Sequence, residues 1–103
     1  ARLALGLPQS PLMDRRLSAA IVAYIRDEGT ALPGRHPERV PDAELRTRVE
    51  AVIHRLDAIR PDETARELLT WADRQATAVA AESGDLAPEA VRALRDLLSW
   101  EWR

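Results

Sequence analysis

The chain has no cysteine, phenylalanine, lysine or asparagine, and it has only four glycines, one methionine and one tyrosine. Without cysteine it can form no disulfide, thiolate metal site or cysteine nucleophile, and a reducing compartment, the cytoplasm, is the expected location. Long apolar runs are missing too. The longest uncharged apolar stretch, Leu17 to Ile25, is about half of what a membrane span needs. The opening ARLALGLPQSPLM is interrupted by Gly6 and Pro8, so neither a transmembrane helix nor a signal peptide is expected. Of the absent residues, phenylalanine, lysine and asparagine share AT-rich codons. The use of arginine for all fifteen side-chain cations therefore reads as codon usage, and it does not by itself imply bidentate phosphate recognition.

What is present is a 103-residue chain of 11.5 kDa with eighteen alanines and fourteen leucines. That length suits one domain, and folding at this size buries about two thirds of the unfolded surface. Such a core has little to spare, so a subunit interface would help it. Fifteen arginines against seventeen acids give a net charge of −2. Residues 1–60 carry ten arginines and eight acids, and residues 61–103 carry five and nine, so the first part is mildly basic and the second acidic. This is far from the basic excess of a nucleic-acid binder, and a nucleic-acid partner is not expected.

Apolar spacing predicts an all-α fold, an antiparallel four-helix bundle-like domain over residues 11–103, preceded by an extended arm over residues 1–10. The predicted helices are about 11–28, 42–59, 62–83 and 88–102. In the first, Leu17, Ala20, Ile21, Tyr24 and Ile25 recur at helical spacing, and Gly29 is placed to end it. A loop with three prolines follows, TALPGRHPERVP. Asp42 is the expected N-cap of the second helix, whose stripe of Leu45, Val49, Val52, Ile53, Leu56 and Ile59 is the cleanest in the chain. Arg60-Pro61 breaks the pattern, and Thr64-Ala65-Arg66-Glu67 reads as a capping box that restarts it. The third stripe is Ala65, Leu68, Leu69, Ala72, Ala76, Val79 and Ala80. It ends at Ser83-Gly84-Asp85, and Pro88 suits the first turn of the fourth helix. The alternative architecture is a three-helix unit whose first helix completes a partner's bundle.

Three constellations could carry chemistry. Glu50, His54 and Asp57 stand four and three apart on the second helix and share a side, but that side lies about 130° from the apolar stripe and faces water. Bundle metal sites point inward, so no metal and no cofactor is expected there. Arg35, His36 and Arg39 in the long loop form a candidate anion-binding group, the basis of an alternative reading as a small enzyme or anion-binding protein. A second alternative is phosphotransfer through an exposed His54, although VIHRLDAIRP lacks the lysine and small residues that would support it. The serines, at 10, 18, 83 and 99, lie in no nucleophile turn, and no catalytic residue is assigned.

Apolar residues off the main stripes point elsewhere. Trp71 lies about 120° from the centre of the third helix's stripe, and Trp100 is similarly displaced on the fourth, whose own stripe of Val91, Leu94 and Leu98 runs on to Trp102. Tryptophan dominates binding hot spots, and Leu3, Leu5 and Leu7 would line one side of an extended arm. These six residues form the expected interface of a small helical protein–protein interaction module or accessory subunit. Such a module is expected to self-associate as a homodimer and to have a protein, not a membrane, as its partner.

Overall fold

The computed structural model describes residues 14–26, 32–63, 65–84 and 86–102. Leu3, Leu5 and Leu7, the rest of the arm, Gly29 and Thr64 lie outside these residues. The described chain is all-helical: α1 (Arg15–Ile25), α2 (Ala43–Asp57), α3 (Leu68–Glu82) and α4 (Pro88–Glu101) pack against one another. Among the described residues the extended pairing is a single bridge, Arg26 to Pro33, and no helix is long and apolar enough to cross a membrane.

Local chemistry accounts for three of the four helix starts. Asp14 accepts a hydrogen bond from the Leu17 amide at 3.0 Å, and Asp42 accepts one from Leu45 at 3.0 Å, so each carboxylate satisfies an otherwise orphaned donor. Pro88 opens α4, where its missing N–H costs nothing. The third start differs from expectation. α3 begins at Leu68 with Glu67 as an N-cap that makes no side-chain bond, six residues after the predicted 62. The Ala65 amide donates to the Asp62 carbonyl at 3.0 Å, closing a turn, and Ile59 and Ala65 pack on the core from either side of Pro61. Turns that bury these two side chains displace the first helical turn.

The two N-cap carboxylates are held below the usual carboxylate range. The Leu17 amide is the main cause for Asp14, followed by the Arg48 guanidinium at 2.6 Å; for Asp42 it is the Leu45 amide. A folded-state pKa below the unfolded one stabilises the protein above the unfolded pKa, and that contribution disappears as pH falls through the folded value. Stability should therefore decline as pH drops below about 4. Asp14→Ala should lower stability by about 1 kcal/mol at neutral pH and flatten the acid limb, as urea titrations at pH 7 and pH 3 would show.

The long connection sets the topology. Arg16 reaches Asp42 at 3.4 Å and Arg48 reaches Asp14 at 2.6 Å, so the N-terminal parts of α1 and α2 adjoin. Residues 32–42 form a strap that runs back along α1. The Gly34 amide donates to the Ile25 carbonyl at 2.7 Å and His36 to Tyr24 at 2.8 Å, after which a short 3-10 turn, Pro37–Arg39, leads to buried Val40. α2 thus starts beside the start of α1, and the two run in the same general direction, where a strict up-and-down order would oppose them. α4 also runs with α1, because the Ala87 amide donates to Ser18 Oγ at 2.8 Å while Glu101 meets the strap at the other end. α3 returns antiparallel to α4 after Gly84, whose φ of +92° is a backbone state that favours glycine.

One apolar cluster joins the four helices, from Leu17, Ile21 and Ile25 through Val49, Ile53 and Leu56 to Leu94, Leu97 and Leu98. Trp71 belongs to it. At 1 % exposure it is the largest fully buried side chain, which corrects the expectation that it lies outside the core as an interface residue. α3 is covered by both α2 and α4, so about half of its circumference is buried, from Trp71 round to Ala80. Ala72, Ala76, Ala90 and Ala93 are all within 1 % of full burial, and side chains this small let α3 and α4 approach closely.

Candidate interaction surface

The C-terminal ends of α2 and α4, the first turn of α3 and strap residues 32–36 meet at one end of the molecule, its base. Two carboxylates sit there, Asp57 on the last turn of α2 and Glu101 on the last turn of α4, where helix dipoles make negative charge unfavourable. Arg35 offsets both. Its guanidinium donates to the two Asp57 carboxylate oxygens at 3.0 and 2.7 Å and to Glu101 at 2.5 Å. The hydrogen bonds to Asp57 are the main reason its pKa is raised above the ordinary arginine value. Beside it, Arg60 donates to the Asp57 carbonyl at 2.6 Å and stacks on the Trp102 ring, 5.5 Å from its centroid.

Large apolar side chains remain exposed around this base. Trp100 is 40 % exposed, Leu69 55 % and Leu32 47 %, and the three line one groove with Pro33, Leu68, Asp96 and Ser99. Trp102, 39 % exposed, lines a second groove on the other flank of α4, with Leu56, Leu98 and the Arg35 ion pairs. The structure therefore places Trp100 and Trp102 together at the base and removes Trp71 from the set. Leu32 and Leu69 were missed by sequence reasoning. Leu69 lies within the angular range of α3's buried face, yet it occupies the first turn, beyond the reach of the helices that cover Ala76 and Ala80. Leu32 sits in a proline-rich segment without periodicity, so its sequence carries no signal of position.

The other candidate residues do not assemble into sites. Arg35, His36 and Arg39 diverge along the strap: Arg35 faces its two carboxylates, and Arg39 donates to the Arg26 carbonyl. His36 Nδ1 stands 3.5 Å from the Glu38 carboxylate, and Nε2 is buried without a hydrogen-bond partner. On α2, Glu50 and His54 are exposed as expected, while Asp57 is engaged by Arg35. Among the described residues no three His, Cys, Asp or Glu side chains converge to hold a metal ion.

No family model, no curated protein and no solved structure matches this chain.

Proposed function

We propose that the chain is a small helical protein–protein interaction module, a cytoplasmic homo-oligomer or accessory subunit, that associates with a second copy of itself through the base. The observation that carries this reading is the clustering of the exposed large hydrophobic side chains, Leu32, Leu69, Trp100 and Trp102, at one end of the molecule. At two-fifths exposure the two indoles alone leave roughly 120–200 Å² of ring surface in water. With the two leucines, the apolar surface exposed in the two grooves together approaches the few hundred Å² that mark interaction sites on soluble proteins. A stable dimer buries about 800 Å² per subunit, a little over half of it apolar, so this patch supplies much of the apolar part of one such interface. Arg60, Asp96 and Ser99, beside the two grooves, supply the polar rim that interfaces of this kind carry.

The test is a charge placed in the groove. Leu69→Glu lies on an exposed first-turn position, so the helices should keep their content by circular dichroism. Its self-association by sedimentation equilibrium should fall by about tenfold or more, because a carboxylate would have to be desolvated on docking. Unchanged association in this variant would contradict the proposal.

A further inference from the structure

We propose that Arg35 is a positioning residue of this surface: its ion pairs hold residues 32–36 of the strap against the ends of α2 and α4 and so set the shape of the apolar groove. The inference rests on the reading of the base as a docking surface and adds what assembles it. The groove has two walls that are remote in sequence. Leu32 and Pro33 of the strap form one, and Leu68 and Leu69 of α3 with Asp96, Ser99 and Trp100 of α4 form the other. The clamp joins residue 35 to residue 101, two positions from one wall and one position from the other. The backbone bonds of Gly34 and His36 fasten the strap to α1, and Arg46 of α2 donates to the Val40 carbonyl at its far end; near the groove the Arg35 side chain ties it to the last turns of α2 and α4.

The chemistry needs arginine here. Asp57 takes two parallel N–H donors and Glu101 takes one more from the same guanidinium, a fork that a lysine ammonium cannot reproduce. These side chains are 37–39 % exposed, so the pairs add little to global stability. Their contribution is geometric, which separates the effect of losing them on the groove from their effect on the fold.

The experiment compares wild-type chain, Arg35→Gln, Arg35→Lys and Glu101→Gln. It reads self-association by sedimentation equilibrium, helix content by circular dichroism, and amide hydrogen exchange at Gly34 and His36 by NMR. Arg35→Gln should keep its helix content, exchange these two amides about tenfold faster or more, and associate about tenfold more weakly or worse. Arg35→Lys and Glu101→Gln should fall between it and wild type. Wild-type association in Arg35→Gln would overturn the inference while leaving the docking reading intact. Weakened association with unchanged exchange would also overturn it, because Arg35 would then be a direct partner contact and not a positioning residue. If the wild-type chain does not associate, the docking reading fails, and the exchange rates alone decide whether the clamp holds the strap.

Discussion

Trp71→Ala should lower the unfolding free energy by about 3–5 kcal/mol, the largest effect of any single truncation in this chain. The ring is 1 % exposed within a core cluster that includes several buried alanines, so its loss opens a large cavity that the surrounding packing closes only in part. Domains of this size have about 5–15 kcal/mol in total, and a loss on that scale leaves the variant close to unfolding at 37 °C. Urea titration followed by circular dichroism would measure it. Trp71→Phe should cost much less, since the indole Nε1 has no hydrogen-bond partner to lose and most of the ring volume is kept. An alanine variant within 1 kcal/mol of wild type would mean that this tryptophan does not fill the centre of the core.

Trp100→Ala should act on association and leave the fold largely intact. The indole is 40 % exposed on the last turn of α4, where its removal opens a surface hollow and no enclosed cavity. Central tryptophans of interfaces cost about 2 kcal/mol or more when truncated, so self-association should weaken by about thirtyfold. Helix content should stay within error of wild type. Trp102→Ala should have the smaller effect on association, because part of the Trp102 ring is already covered by the Arg60 guanidinium within the same molecule. If Trp100→Ala instead abolished helical structure while wild type remained monomeric, Trp100 would be a core residue.

Several elements of the fold were legible from residue order alone. The Val49, Val52, Ile53, Leu56 stripe and its Asp42 cap appear in α2 as anticipated, because cap and periodicity are both local properties of one segment. Pro88 at the start of α4 and the break at Gly84 follow from backbone chemistry in the same way. What escaped the sequence depends on neighbours far along the chain. The delayed start of α3 comes from Ile59 and Ala65 reaching the core through turns, and the burial of Trp71 comes from α2 and α4 covering it together. The shared direction of α1 and α2 follows from a strap that pairs with α1 through backbone atoms, which no side-chain pattern announces.

The candidate surface divides in the same way. Trp100 stands out by size and angular displacement and Trp102 by size, both readable from α4 alone. Leu32 and Leu69 join them through tertiary placement, which sets the strap beside the first turn of α3 and the end of α4, where Arg35 meets Glu101 across 66 residues of sequence. Sequence order groups Arg35 with His36 and Arg39 because they share one loop. Its carboxylate partners on two other helices turned a candidate ligand site into a structural tie.

The most direct test of the central claim is the molar mass of the chain in solution as a function of its concentration, by sedimentation equilibrium at moderate salt. Association through the base predicts a mass that rises from 11.5 kDa toward twice that value as concentration increases, together with a blue shift of tryptophan emission as Trp100 and Trp102 are covered. A single 11.5 kDa species at every concentration, with unchanged tryptophan emission, would contradict it.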